Sequence, residues 1–150
     1  MTVTAKSSAD PAGTVLAFDF GTQRIGVAVG ETHTRLAHPL ATIAATRNEE
    51  AMRAIAALIE EWRPGLLVVG LPVHADGVPH AMTERARRFA RQLERRFALP
   101  VEFCDERFTT HAANEALRQS GAGKRERKLA RDRLAAQIFL QDYLDRRRTA

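Results

Sequence analysis

The sequence is poor in cysteine and in long apolar runs, and each shortage excludes a class of protein. A single cysteine, Cys104, excludes an internal disulfide and a zinc site built on several cysteines. The longest apolar run, residues 65–73, is interrupted by Gly70 and Pro72 and is far shorter than the ~20 residues of a membrane-spanning helix. Neither a GxGxxG nor a GxxxxGK[ST] motif is present, which argues against dinucleotide or P-loop nucleotide binding. These absences predict a protein of the reducing cytoplasm that does not enter a membrane.

Lysine is also scarce, although the chain is basic. Twenty-three lysines and arginines stand against eighteen acids, and only three of these cations are lysines. The net charge is +5 and the pI is about 10.3. Arginine binds phosphate through a planar two-pronged group, so this bias favours a polyanionic partner such as nucleic acid. Arginine used for ordinary surface cations in a GC-rich genome explains the composition equally well.

The length and composition predict one globular domain. The 150 residues are 45% hydrophobic and 27% charged. A chain of this size buries roughly two-thirds of its unfolded surface, which is enough for one sizeable core. Residues 1–13 are small and polar and are expected to form a disordered leader, with the domain over residues 14–150.

The apolar pattern predicts an α/β sandwich whose sheet has both parallel and antiparallel strands. Pro39 favours an edge position for the third strand. The predicted strands cover residues 14–20, 25–30, 36–43, 66–69 and 101–106.

Helices are predicted between and after these strands. Thr46 and Glu49 form a capping-box pair that opens the first helix, and Pro79 starts the second. Thr110 caps a third helix, and the last helix covers residues 127–144.

Asp19 is the first acid in an unexpected place. It lies near the carboxyl end of the first strand, between Phe18 and Phe20, where a charge is costly unless something compensates it. Active sites of open α/β sheets lie at the carboxyl ends of strands, so the position favours function. The structural alternative is that Asp19 pairs with Arg24 or caps the turn at Gly21.

Asp132 is the second such acid. It lies on the same helical stripe as Leu129, Ala136 and Phe139, so we expect its side chain to point into the protein. The structural alternative is a carboxylate that a core arginine neutralises.

Asp105 and Glu106 end the last predicted strand. Successive strand side chains face opposite sides of a sheet, so only one of the two can share a site with Asp19, and periodicity alone leaves the choice open. Three converging carboxylates would repel one another, and Mg²⁺ or Mn²⁺ removes that conflict. Two such ions can support phosphodiester hydrolysis by activating water and stabilising the leaving oxygen.

Groups suited to phosphate surround the same strand ends. Backbone N–H groups and a hydroxyl follow the first strand at Gly21 and Thr22. Residues 124–133 contain six cations and lead into the last helix, although such a run is often only a solvated helix face. The candidate nucleic-acid contacts are therefore Gly21, Thr22, Arg24, Arg107, Thr109, Thr110, Lys124, Arg125 and Lys128.

Four blocks, in order, resemble the YqgF/RuvX family, which is associated with Holliday junction resolution and with pre-16S ribosomal RNA processing. They are DFGTQRIGVAVG, LLVVGLPVHADG, CDERFTT and RDRLAAQIFLQDYLD, and the resemblance covers about residues 16–145. It implies an RNase H-like fold, with a central five-stranded mixed sheet flanked by helices, and two-metal hydrolysis. Carried over by position, it implies that Asp19, Glu106 and Asp132 are the catalytic acids and the metal ligands.

Two departures from the expected pattern matter. The resemblance puts the middle acid on a different strand from that of true junction resolvases, and the other departure follows the second strand. Glu31 and Thr32 stand where a Ser-Asp pair is more usual, which predicts an altered rim after the second strand.

The function that the resemblance implies is a nuclease, dependent on Mg²⁺ or Mn²⁺, that processes the 5′ end of pre-16S rRNA. Its partners would be structured RNA and pre-ribosomal particles, and the chain would be a monomer or a homodimer. Resolution of four-way DNA junctions is the alternative within the enzyme class, and it requires paired active sites. A non-catalytic nucleic-acid-binding factor of ribosome assembly is the alternative of another class, against which the three retained acids argue.

Overall fold

The computed structural model describes residues 13–72, 81–105 and 123–147, with the backbone alone over residues 124–129. The described residues form five strands and three helices. In chain order these are β1 (Thr14–Phe20), β2 (Arg24–Glu31), β3 (Leu36–Ala44), α1 (Asn48–Trp62), β4 (Leu66–Leu71), α2 (Ala81–Phe97), β5 (Val101–Asp105) and α3 (Lys124–Arg147).

The strands form one mixed sheet in the order β3-β2-β1-β4-β5. β2 is antiparallel to both β1 and β3, whereas β4 is parallel to β1 and to β5. β1, β3, β4 and β5 therefore all end at the same edge of the sheet, where β2 begins, and we call it the carboxyl edge. The predicted central five-stranded mixed sheet is confirmed, and β3, which contains Pro39, lies at the side of the sheet as predicted.

The sheet has two faces with different packing. On the α1/α2 face, large side chains such as Leu16, Phe18 and Val27 pack against α1 and α2. On the α3 face, smaller residues such as Ala17 and Ala28 pack against α3. Because strand side chains alternate, each strand contributes to both cores.

The helix α3 lies unusually close to β2, and Gly26 is the reason. A Cβ atom at Gly26 would lie 2.6 Å from the backbone nitrogen of Arg133 and closer still to the carbonyl oxygen of Asp132. Further along the strand, a Cβ atom at Gly30 would lie 3.0 Å from side-chain atoms of Leu140 and Leu144. The backbone of α3 therefore contacts the sheet directly near the carboxyl edge of the sheet.

The predicted capping box of α1 is wrong. α1 begins at Asn48 and its N-cap is Arg47, whose side chain makes no capping hydrogen bond. The Glu49 carboxylate instead accepts hydrogen bonds from Arg96 of α2, at 2.5 Å from Nη2. Because this tertiary ion pair engages the carboxylate, Glu49 does not cap its own helix.

The last helix is longer than predicted. α3 begins at Lys124 rather than at residue 127 and ends at Arg147 rather than at residue 144. Lysine, arginine and glutamate are good helix formers, so the charged residues at both ends extend the helix beyond its apolar stripe. Residues 1–12 of the predicted leader (1–13), the start of the second helix at Pro79 and the helix capped by Thr110 lie outside the described residues. Gly13, the last residue of that leader, is hydrogen-bonded to Thr32. In the described ranges, no helix is long and apolar enough to cross a bilayer.

Candidate active site

Asp19 and Asp132 occupy neighbouring positions on the α3 face. Asp19 of β1 is in register with Gly26 of β2, and directly opposite residues of an antiparallel pair project to the same face. The backbone of Asp132 lies against Gly26 from the α3 side. The fold therefore brings two of the predicted acids, 113 positions apart in the chain, to the same end of the same face.

Asp132 is held by an arginine. The Arg24 Nε donates a hydrogen bond of 2.7 Å to its Oδ2 atom, and the two side chains are 23% and 16% exposed. Arg131 lies farther away, with Nε 4.0 Å from Oδ1. Asp132 therefore has the arginine partner that was considered for it, and this partner is Arg24. The sequence analysis had considered Arg24 as a partner of Asp19 or of phosphate instead.

Asp105 lies on the wrong face to join Asp19. Cys104 belongs to the core under α3, where its Sγ donates to the Phe139 carbonyl at 3.4 Å. Val101 packs with the α1/α2 core, so alternation along β5 puts Asp105 on that face as well. The other candidate, Glu106, lies outside the described residues.

The turn after β1 is tight. A Cβ atom at Gly21 would lie 2.6 Å from the carbonyl oxygen of Arg24, so a larger residue would clash with backbone there. Thr22 is exposed on the same turn, at the carboxyl edge. These two predicted phosphate contacts therefore lie at the sheet edge that carries Asp19.

The remaining predicted nucleic-acid contacts are only partly described. The first turns of α3 contain Lys124, Arg125 and Lys128, whose backbone is helical and precedes Asp132. The other three, Arg107, Thr109 and Thr110, lie outside the described residues.

Sequence reasoning did not single out Gly26 or Arg133, although both position α3. Gly26 permits the close approach of the helix, and the Arg133 Nη1 donates to the Thr42 hydroxyl of β3 at 3.1 Å. The signal for Gly26 was available in the segment IGVAVG, where small residues alternate with branched ones. Such alternation is typical of a strand with one face that a helix approaches closely.

The donor set fits a hard divalent cation as far as it is described. Asp19 and Asp132 offer carboxylate oxygens, which Mg²⁺ and Mn²⁺ prefer. Within the described ranges, no three His, Cys, Asp or Glu side chains are grouped so that they could hold a metal ion. The pair thus accounts for two of the three acids in the predicted set.

The fold is RNase H-like and is similar to that of solved RuvC structures. Thermus thermophilus RuvC in complex with a Holliday junction substrate superposes with a TM-score of 0.53 at 19% identity, over 90% of this chain and 96% of that chain. A family model described as RuvX, Holliday junction resolvase, matches residues 13–146. The chain therefore belongs to the RuvX family, which confirms the resemblance seen in the four sequence blocks.

Curated relatives are similar over nearly their whole length. A Nitrosospira multiformis protein named "Putative pre-16S rRNA nuclease" is 50% identical over 142 residues, covering 95% of this chain and 94% of the relative. A Nitrosomonas europaea protein of the same name is 54% identical over 134 residues, covering 89% and 90%.

Proposed function

We propose that this protein is a metal-dependent nuclease that processes the 5′ end of pre-16S rRNA. The observation that carries the proposal is the placement of Asp132 against Gly26, directly across the strand pair from Asp19. It puts two carboxylates at the carboxyl edge, where open α/β sheets hold their active sites. The names of relatives that are half identical to the chain support the substrate.

We assign Glu106 as the third acid. In β5, Cys104 belongs to the α3-side core and Glu102 accepts a hydrogen bond from the Tyr143 hydroxyl of α3 at 2.5 Å. Side chains two positions apart in a strand lie on the same face, so residue 106 is predicted to share the face of residues 102 and 104, which is the face of Asp19. The face of Asp105 argues for the same choice.

The chain's own groups divide the work between holding metal and holding phosphate. Asp19, Glu106 and Asp132 would hold Mg²⁺ or Mn²⁺ through carboxylate oxygens. When bound there, two such ions would provide the means to activate a water molecule and to stabilise the leaving oxygen. Arg24 fixes the Asp132 side chain through Nε, which restricts the rotamer of a metal ligand before substrate arrives.

The phosphate contacts would come from the turn after β1 and from the basic segment. The backbone N–H of Gly21 and the hydroxyl of Thr22 suit a non-bridging phosphate oxygen. The side chains of Arg107, Lys124, Arg125 and Lys128 would follow the nucleic-acid backbone, and their positive charge would carry most of the salt-dependent affinity. Thr109 and Thr110 would add neutral hydroxyl donors.

The direct test compares the wild type with Asp19→Asn on labelled RNA carrying the 5′ flank of the small-subunit precursor, with and without Mn²⁺. Asparagine keeps the size of the side chain and removes the charge that holds the ion. We expect metal-dependent cleavage to fall by at least about 100-fold while RNA binding is kept. The matched control is Asp105→Asn, the same change on the other face of the sheet, which should cleave like the wild type.

Two outcomes would contradict the proposal. Equal cleavage by the wild type and Asp19→Asn would remove the role of the carboxylate. Loss of cleavage in Asp105→Asn with retention in Glu106→Gln would reverse the assignment of the third acid.

Resolution of four-way DNA junctions is the second candidate, favoured by the match to the RuvX family model. A junction resolvase cuts two strands and needs two active sites, so it would act as a dimer. The same variants assayed on a labelled four-way junction, with the mass of the complex measured in solution, decide between the substrates. Metal-dependent symmetric cuts by a dimer would favour the junction, and cleavage of the RNA alone would favour rRNA processing.

A further inference from the structure

A cavity of about 290 Å³ lies on the α1/α2 face beside the carboxyl edge, on the opposite side of the sheet from Asp19. Its volume is close to the lower end of the ~300–1,000 Å³ typical of small-ligand sites. Its lining combines two aromatic rings, two amide side chains and two guanidinium groups, from Phe20, Phe89, Asn48, Gln92, Arg85 and Arg88.

One face of α2 forms a wall of this cavity. Arg85, Arg88 and Gln92 are spaced by three and four residues, so they lie on the same side of the helix. Phe20 and Phe89 form an apolar surface, with ring centroids 4.9 Å apart and planes tilted by 30°. Charged, amide and aromatic groups therefore converge on one small space.

The two arginines of the cavity have no acidic partner within the part of the chain that the structure describes. Two acids near the starts of α1 and α2 are engaged by other arginines, in the pairs Arg96–Glu49 (2.5 Å) and Arg87–Glu84 (3.1 Å). Arg85 and Arg88 are exposed and form no ion pair among the described residues. Among the described residues, the positive charge at the cavity therefore has no acidic partner, which favours an anionic ligand.

The cavity and the candidate active site meet at the same strand end. Phe20 follows Asp19 directly, and the two residues project to opposite faces of β1. Asn48 begins α1, which follows β3 at this same edge. A strand of RNA crossing the carboxyl edge at Asp19 can therefore continue to the cavity.

We propose that this cavity binds one unpaired nucleotide of the substrate RNA, outside the scissile phosphate. Arg85 and Arg88 bind its phosphate, the base lies against Phe20, and the amides of Asn48 and Gln92 hydrogen-bond the base edge. Unpaired bases are recognised in this way, through aromatic surfaces and polar groups at their edges. The proposal rests on the proposed function, because the ligand is a part of the same RNA substrate.

The test measures binding of a fluorescently labelled single-stranded RNA in EDTA, so that no cleavage intervenes. The double variant Arg85→Gln/Arg88→Gln is compared with Arg91→Gln/Arg95→Gln, which removes the same charge from exposed positions of α2 outside the cavity. We expect the cavity variant to bind at least about tenfold more weakly than this control. Equal losses in the two double variants would overturn the proposal, because general charge attraction would then explain the binding.

A second variant separates binding from folding. Asn48→Asp places a negative charge in the cavity, while an acid at the start of α1 suits the helix dipole. We expect weaker RNA binding with an unchanged or higher melting temperature. Unchanged RNA affinity would count against the site.

The base contact is tested with RNAs that lack one base at a time. The wild type should bind more weakly to the RNA that lacks the base at one particular position. The double variant Arg85→Gln/Arg88→Gln should bind all the abasic RNAs equally. Competition by inorganic phosphate and by a mononucleotide, measured in parallel, shows whether phosphate alone is bound. Competition by phosphate as strong as by the nucleotide, with no sensitive abasic position, would overturn the nucleotide assignment.

The failure of this proposal and that of the nuclease proposal can be told apart. Loss of binding in the cavity variant, together with a wild type that does not cleave, would contradict the nuclease alone. Metal-dependent cleavage with no selective loss of binding would contradict the cavity site alone. At saturating RNA the cavity variant should retain kcat and show a raised KM.

Discussion

The two faces of the sheet use the same strands for different purposes. In β2, the α1/α2 face carries Ile25, Val27 and Val29, whereas the α3 face carries Gly26 and Ala28. Large side chains fill the first core. Small residues on the second face let the backbone of α3 reach the sheet. The position of Asp132 therefore depends on the contact between its own main chain and Gly26.

This difference explains how a carboxylate on a helix becomes a neighbour of one on a strand. Asp132 is positioned by its own main chain against Gly26 and by Arg24 at its side chain. Sites held on helices and strands are more rigid than sites on loops. The α1/α2 face is filled by larger apolar side chains, and the cavity lined by Phe20 and Phe89 lies on it beside the carboxyl edge.

The largest effect is expected from Gly26→Ala. The added methyl group meets the backbone of Asp132, which cannot move away without a shift of α3, so the cost should reach or exceed the usual ~1–3 kcal/mol of overpacking. Cleavage should fall as far as in Asp19→Asn, because Asp132 is displaced. Urea unfolding and the RNA cleavage assay measure the two effects.

The control is Ile25→Val, one residue away on the opposite face. It should cost about 0.5–1.5 kcal/mol of unfolding free energy and leave cleavage unchanged. If Gly26→Ala cleaved RNA as fast as the wild type, the close packing of α3 on Gly26 would not be what positions Asp132.

A smaller effect is expected from Arg24→Gln. It leaves the largely buried Asp132 without its charged hydrogen bond, so we expect a loss of about 1–3 kcal/mol in metal-free buffer. Mn²⁺ should then raise the melting temperature more in the variant than in the wild type, because ligand binding to the folded state stabilises it.

The matched control is Arg47→Gln, which removes an arginine from a well-exposed pair with Glu50 at 3.8 Å. Such pairs contribute about 0–1 kcal/mol. Equal losses in the two variants would show that Arg24 does not hold Asp132 in solution.

Tyr143 tests how the distal part of α3 is attached to the sheet. Burial, and then the hydrogen bond to Glu102, raise the pKa of Tyr143 to about 12. The raised pKa means that the folded state binds the proton more tightly than the unfolded state, whose tyrosine titrates near ~10. This contribution to stability is fully present below pH ~10 and is lost as the pH rises towards 12.

Absorbance at the tyrosinate band reports this residue alone, because the chain has one tyrosine. Glu102→Gln should lower the titration midpoint only in part, since burial is the larger cause. A midpoint near the ordinary value in the wild type would contradict the contact.

The smallest effect is expected at the opposite edge of the sheet. Glu31 accepts hydrogen bonds from the backbone N–H groups of His33 and Thr34, and the Thr32 hydroxyl accepts from Gly13. The double variant with Glu31→Ser and Thr32→Asp introduces the Ser-Asp pair that is more usual in the family. Serine and aspartate side chains can also accept hydrogen bonds from nearby backbone N–H groups. We expect stability within about 0.5 kcal/mol and unchanged cleavage. A large loss of cleavage would show that this rim acts on the distant site.

The departure from the family at Glu31 lies at the sheet edge opposite the candidate active site. β2 runs away from the carboxyl edge, so its end lies opposite the start of β1, with Glu31 in register with Thr14. The rim after the second strand is therefore not the rim that carries Asp19.

Much of the fold could be predicted from the sequence because burial leaves a local pattern. The apolar run of β1 indicated a central strand, and the stripe containing Asp132 indicated an inward side chain that is indeed only 16% exposed. The capping box failed for the opposite reason. Glu49 and Thr46 fit a local motif, but Arg96 from another helix competes for the carboxylate.

Local sequence patterns predicted the order of the strands along the chain, the apolar stripes of the helices and the unusual places of Asp19 and Asp132. The packed structure was needed to show which strands are neighbours, which face of β5 carries Asp105 and which acid Arg24 binds across 108 positions of sequence. Local patterns encode whether a side chain is buried. They do not encode against which distant surface it is buried, because that depends on how the helices and the two faces of the sheet pack together.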